Sequence, residues 1–160
     1  MKIIFSIIVS AILFFSCTVQ KETIQQKEEK PVVVEKKKEL IFSFEMQKSK
    51  TNSSLRGISV IDSLTAWASG SNGTFLRTTD GGNTWNDGKV KGFETLDFRD
   101  VEALDKNTAI IMSTDAPAFF FKTTDGVKSW KRKYMNRDPK VFFDGMTFWD
   151  EKNGIAVSDP

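Results

Sequence analysis

The stretch TTDGGNTW at residues 78–85 returns as TTDGVKSW at residues 123–130, 45 residues later. A longer unit recurs around it. LRGISVIDSLTAW (55–67), FRDVEALDKNTAI (98–110) and FDGMTFWDEKNGI (143–155) align on Asp62, Asp105 and Asp150, spaced 43 and 45 residues apart. A chain that repeats at this spacing folds as like units packed side by side, because one unit alone cannot bury its apolar face. Within each unit apolar residues alternate with polar ones, and Gly, Asn and Asp interrupt the alternation at short intervals. That is the rhythm of strands and tight turns, not of helices. A period near 45 made of several short strands is the signature of a propeller blade. The expected fold is therefore all-β, with blades of four antiparallel strands. A first blade covers 55–89, with strands near 55–62, 65–70, 74–79 and 84–89. A second covers 98–134, with strands near 98–105, 108–113, 118–123 and 129–134. A third begins at 143–160, with strands near 143–150 and 154–158. Ile58 and Val60, Val101 and Ala103, and Met146 and Phe148 are equivalent inward positions of the three first strands.

The repeated octapeptide has a physical logic. Its aspartate, Asp80 or Asp125, caps backbone N–H groups of a tight turn with its own carboxylate. Gly82 supplies a residue free to adopt positive φ. Trp85 or Trp130 anchors the outgoing strand. In the second copy Val127 stands where Gly82 stands in the first. A β-branched residue is uncomfortable at positive φ, so the second turn is expected to be distorted or differently shaped. The pattern of Thr78, Asp80, Gly82, Thr84 and Trp85, with Thr123, Asp125, Ser129 and Trp130, resembles the Asp box of BNR-repeat propellers. Over residues 55–160 the chain is similar to the photosystem II assembly/stability factor-like group of that family. The blade phrases WASGSNGTFLRTTDGGNTW (67–85), LDFRDVEALD (96–105) and FFDGMTFWDEKNGIAVSDP (142–160) carry the likeness. The resemblance implies that the boxes are structural and lie on the blade periphery, away from any active site. It also implies a secretion signal, common in such proteins of non-photosynthetic bacteria. Members are sometimes labelled oxidoreductases or glycosyl hydrolases, and no residue here supports either label.

Composition narrows the chemistry. With no histidine and one cysteine, the chain cannot assemble a Ser–His–Asp or Cys–His centre or a histidine zinc site. No glycine-rich dinucleotide fingerprint or phosphate loop occurs. Asp80 with Asp87, or Asp125, offers too few oxygens for calcium. No metal or cofactor is expected. A net charge of +2 argues against nucleic acid, whose binders concentrate positive charge. Asp100 and Glu102 share one face of a strand, about 7 Å apart where a retaining glycosidase pair needs about 5 Å; an acid on an adjacent strand could complete a pair, and nothing in the sequence identifies one. Tyr134 falls at the end of an outer strand, away from where a sialidase-like nucleophile belongs. Arg56, Arg99 and Asp144 hold the same repeat position, just before the inward residues of each first strand. They would form an arc at one mouth of the central channel. Such an arc suits an anionic group held by guanidinium forks; it also suits a solvated rim of local ion pairs, such as Arg99 with Asp100.

The amino-terminal region reads as an address and a tether. Met1-Lys2 precedes the apolar run Ile3 to Phe15, broken only by Ser6 and Ser10. That run is shorter than the about 20 residues that span a bilayer, and it ends in small residues like a secretory signal. Cys17 after Ser16 resembles a bacterial lipoprotein signal over 1–17, with Cys17 as lipidation site. Leu13 stands four before the cysteine, where that pattern usually has leucine three before. Thr18, not aspartate, follows Cys17, which favours the outer membrane or a periplasm-facing position. Residues 18–39 are charge-rich, nearly balanced and poor in apolar surface, a flexible tether. LIFSFEM (40–46) alternates like a strand and is expected to close a propeller ring as the outer strand of a last blade whose inner strands lie beyond Pro160, which leaves it without a native partner in this chain. Propellers close with about 4–8 blades, and about two and a half are present, so the chain is expected to be the amino-terminal part of a longer protein. The expected function is a membrane-anchored extracytoplasmic scaffold for an unknown protein or glycan. The alternative is a sialidase-like glycoside hydrolase with its catalytic residues in further blades. The lipoprotein reading predicts that the mature chain sediments with membranes and that Cys17→Ala releases it or leaves it unprocessed. Identical fractionation and migration of the two forms would overturn that reading.

Overall fold

The computed structural model describes residues 42–159. The described part of Ser43–Pro160 belongs to one compact unit. It contains ten strands: β1 Leu55–Val60, β2 Ala66–Gly70, β3 Thr74–Thr78, β4 Asn86–Lys89, β5 Phe98–Ala103, β6 Ala109–Ser113, β7 Ala118–Thr123, β8 Lys131–Asn136, β9 Phe143–Phe148 and β10 Gly154–Ser158. Each strand pairs with its neighbour in sequence. The sheets run β1-β2-β3-β4, β5-β6-β7-β8 and β9-β10, and every pairing is antiparallel. Two four-stranded blades and a two-stranded third therefore stand side by side in an unclosed propeller, the all-β architecture that the 45-residue repeat implies.

Turn chemistry sets this course. At the first hairpin of each blade an aspartate carboxylate accepts two successive backbone N–H groups. Asp62 takes those of Leu64 and Thr65, at 2.8 and 2.7 Å. Asp105 takes those of Asn107 and Thr108, at 2.6 and 2.9 Å. Asp150 takes those of Lys152 and Asn153, at 2.7 and 2.9 Å. The β2–β3 turn places Asn72 and Gly73 at φ 57° and 64°, the Asn-Gly arrangement whose twist matches the flanking strands. Gly73 also lies close enough to the Phe93 carbonyl that a Cβ would collide with it.

Alternation along the strands then sends side chains to the two faces of each blade. Trp67, Phe75, Phe98, Val101, Ile111 and Phe121 form the core between the first two blades. Trp130 of the second blade packs on the first, with its ring 6.2 Å from Trp67 and 5.3 Å from Phe75. Ile110, Met112 and Met146 form a second core between the second and third blades, flanked by Phe120, Phe143 and Phe148. Side-chain contacts cross the same seams. Arg77 donates to the Gly126 carbonyl and to Asn107 Oδ1 at 3.4 and 3.2 Å. Its repeat equivalent, Lys122, donates to the Glu151 carbonyl at 3.4 Å. Between inner strands, the Ala103 N–H donates to Ser59 Oγ and the Met146 N–H to Asp100 Oδ2.

One expectation needs correction. Ile58 and Val60 are exposed, at 68% and 66%, whereas their equivalents Val101, Ala103 and Met146 are buried. Among the described residues no sheet packs against the outer face of the first blade. Phe42 to Met46 form no strand among the described residues, and Phe42, Phe44 and Met46 are exposed. Leu40 and Ile41 lie outside the described residues, as do Cys17, the signal and the tether. The packing ranks the tryptophans. Trp67→Ala empties a fully buried site and should cost about 3–5 kcal/mol; Trp85→Ala, whose ring is half-buried, should cost roughly 1–2 kcal/mol. Chemical denaturation of the two variants checks this order.

Candidate binding surfaces

The Asp boxes form the turns between β3 and β4 and between β7 and β8. In the first, buried Thr78 donates its hydroxyl to Asp80 Oδ1 at 2.8 Å and accepts the Gly82 N–H at 2.9 Å. Asp80 accepts the Thr84 N–H at 2.9 Å and the Thr84 hydroxyl at 2.6 Å. In the second, the Thr123 hydroxyl donates to Asp125 at 2.9 Å, and Ser129 donates its N–H and hydroxyl at 3.0 and 2.6 Å. Each box is joined to the first hairpin of its blade. The Gly81 N–H donates to the Leu64 carbonyl and the Gly126 N–H to the Asn107 carbonyl.

The expected distortion of the second box does not occur. Gly81 and Gly82 have φ 71° and 86°; Gly126 and Val127 have φ 68° and 87°. Carboxylate capping and the link to the neighbouring turn hold Val127 in a left-handed conformation that a β-branched side chain resists. The environments of the equivalent residues differ. Over Gly82 lies the amide of Gln47, in contact with the place a Cβ would take. Gln47 donates to the Gly81 carbonyl and accepts the Trp85 indole N–H. At the second box Val127 packs on the inter-blade core instead, and the Trp130 indole N–H is buried with no partner among the described residues.

Arg56, Arg99 and Asp144 turn out to share a backbone feature. Each is the residue skipped in the pairing of its inner strand, and such bulges re-aim side chains. Arg56 reaches Asp97 of the next blade at 2.9 Å, and Arg99 reaches Asp144 of the next blade at 3.3 Å. The arc is thus a chain of inter-blade ion pairs. Asp144 is a partner of Arg99, and Asp100 is not: its carboxylate accepts the N–H groups of Val101 and Met146. Each guanidinium uses one nitrogen in its pair, which leaves further donors at this half-exposed rim. Burial, and then the Asp100 charge, raise the Glu102 carboxyl above its ordinary value. Tyr134 lies on outer strand β8, edge-on to Phe120 at 5.5 Å.

A groove of about 670 Å³ opens between β4 of the first blade and the start of β8 in the second. Lys89, Lys91, Lys128 and Arg132 line it, over a floor that includes Phe93, Phe121, Val127 and Trp130. None of these four cations is marked by a motif or a repeat position in the sequence. The signal was there in Lys128-Ser129-Trp130-Lys131-Arg132-Lys133, a dense basic stretch around an aromatic residue.

Residues 36–141, well over half of the chain, match the model of the family described as photosynthesis system II assembly factor YCF48. The chain belongs to this family. Among solved structures it is similar to one described as YCF48 bound to D1 peptide, at 24% identity and a TM-score of 0.57, over 68% of this chain. It is also similar to YCF48 from Cyanidioschyzon merolae, at 22% identity and a TM-score of 0.56, over 69% of this chain. The chain spans about a third of each of those structures, 35% in both. These likenesses bear on the fold. No curated protein matches the chain significantly.

The turn carboxylates have a titration consequence. Hydrogen bonds from the Ser129 hydroxyl and N–H bring Asp125 down to about 2. Asp80 is lowered chiefly by Thr84, Asp62 by the Leu64 and Thr65 N–H groups, Asp105 by Thr108 and Asp150 by Asn153. The folded state therefore binds fewer protons than the unfolded chain. The stability these groups contribute is complete above about pH 4 and is lost as pH falls through the folded values. Asp125→Asn should flatten the portion of the acid unfolding profile between about pH 4 and pH 2, read by circular dichroism, and leave the neutral-pH slope unchanged.

Proposed function

We propose that this protein is an envelope-anchored, extracytoplasmic scaffold that holds a segment of another protein on its blade surface. The observation that carries the reading is membership, over residues 36–141, of a family described as an assembly factor. A solved relative of the same fold is described with a bound peptide, which favours a protein partner over a glycan. The surface chemistry agrees with a binding role. The box and hairpin aspartates are committed to turn N–H groups, and exposed basic side chains stand over half-buried aromatic ones between the blades. Anchoring rests on the sequence alone, with Cys17 as lipid attachment point and residues 18–39 as tether, and puts the blades outside the cytoplasm at the outer membrane or facing the periplasm. The scaffold reading requires no catalytic step. It is tested by crosslinking the full chain in intact cells and identifying what it holds. The expected result is one recurrent envelope protein whose purified segment rebinds the purified chain. Crosslinks spread over unrelated abundant proteins, with no rebinding, would overturn the scaffold.

A further inference from the structure

We propose that the groove between β4 and β8 is the site for an acidic peptide segment carrying one apolar side chain. The inference rests on the scaffold reading and gives that partner its chemistry. Three observations point the same way. First, Lys89, Lys91, Lys128 and Arg132 line the groove, and none forms an ion pair or side-chain hydrogen bond among the described residues, where the ion pairs are Arg56–Asp97 and Arg99–Asp144. Glu94, lowered mainly by the Gly92 N–H and further by Lys89 and Lys91, lies nearby, which leaves the cations in excess. A cleft of one sign concentrates ligands of the other.

Second, the floor is apolar, and its rings already pack on one another. Phe93 stands edge-on to Phe121 at 4.6 Å and to Phe119 at 5.2 Å. Trp130 is packed on Phe75 and Trp67. Rings engaged in this way are poor platforms for nucleic-acid bases, which need an open aromatic face. A purely polar anion, such as a phosphate chain, would satisfy the cations and leave the floor wetted. A peptide of Asp and Glu around a Leu or Phe satisfies both.

Third, Val127 contributes to this floor from a strained backbone, at φ 87°. Its equivalent in the first box is Gly82, at φ 86°, where glycine carries no such strain. A β-branched side chain kept at a glycine position sets a methyl-bearing surface beneath the cations, and strain of this kind gathers where ligands are held. The groove volume, about 670 Å³, lies within the range of roughly 300–1,000 Å³ usual for ligand pockets.

The test is fluorescence anisotropy on the full chain, with a labelled peptide of Glu and Asp around a central Leu. Inorganic polyphosphate and the same peptide with Ala for Leu serve as comparison ligands. Lys89→Gln with Lys128→Gln should weaken the Leu peptide about tenfold and reduce its salt dependence. Val127→Gly should weaken the Leu peptide severalfold and leave polyphosphate binding unchanged. Arg56→Gln should leave the peptide affinity unchanged. Thermal melts that match wild type establish that each variant is folded; if the lysine pair is not, Arg132→Gln takes its place. Equal peptide affinity in wild type and the lysine variant overturns the site. So does polyphosphate binding more tightly than the peptide, with no effect of Val127→Gly, which would make the groove a general polyanion site. In the cellular crosslinking experiment, an unchanged partner in the lysine and Val127 variants overturns the groove and leaves the scaffold standing. Loss of every specific crosslink in wild type overturns the scaffold itself.

Discussion

A carboxylate oxygen accepting the backbone N–H groups of a tight turn is the interaction on which the rest of this structure depends. It occurs at both kinds of turn at one end of the blades. Asp62, Asp105 and Asp150 close the first hairpins, and Asp80 and Asp125 close the boxes. A hairpin's turn determines its register, and register determines which side chains face which way. A slip of one residue at Asp105 would send Val101 and Ala103 to the wrong face of their blade. The turns also support one another, since each complete blade ties its box to its first hairpin through one backbone hydrogen bond. That mutual support explains how Val127 holds a left-handed conformation it would not adopt alone.

With register established, the blades adhere by burying one face of each sheet on the next. The seam between the first two is the best developed, with Trp67, Phe98 and Phe121 removed from solvent and Trp130 laid across it from the second blade. The first blade presents the same kind of face outward, and there Ile58 and Val60 are exposed. The comparison of Trp85 with Trp130 shows how far a local motif is completed by its neighbours. Trp130 meets a blade; Trp85 meets the side chain of Gln47, which satisfies its N–H but covers less of its ring.

Charged side chains gather where packing relaxes. Bulges at Arg56, Arg99 and Asp144 turn charged side chains to the rim, where they pair between successive blades; exposed pairs of this kind contribute little stability. Outer strands β4 and β8 leave the basic groove between them. The site residues legible in the sequence were those that keep a fixed offset within the repeat: the boxes and the bulge position. Lys89, Lys91, Lys128 and Arg132 keep no such offset. They come from different parts of two blades, so only the packing of those blades brings them to one cleft.

The sequence by itself determined that this chain builds β-blades, how many strands each has and where the turns fall, because these follow from local chemistry: two-residue alternation, Asx capping and a 45-residue recurrence. Tertiary structure alone decided what each face and turn would meet. Phe42, Phe44 and Met46 alternate as well as any strand here, yet they form none, because alternation by itself supplies no backbone partner. Val127 keeps the backbone of Gly82, because the carboxylate network around Asp125 outweighs the preference of a single residue. Arg99 pairs with Asp144 and not with adjacent Asp100, because the bulge aims it at the next blade while Asp100 bonds backbone N–H groups. In each case a preference legible over a few residues was decided by what surrounds it in the fold, and for Arg99 the partner stands 45 residues away.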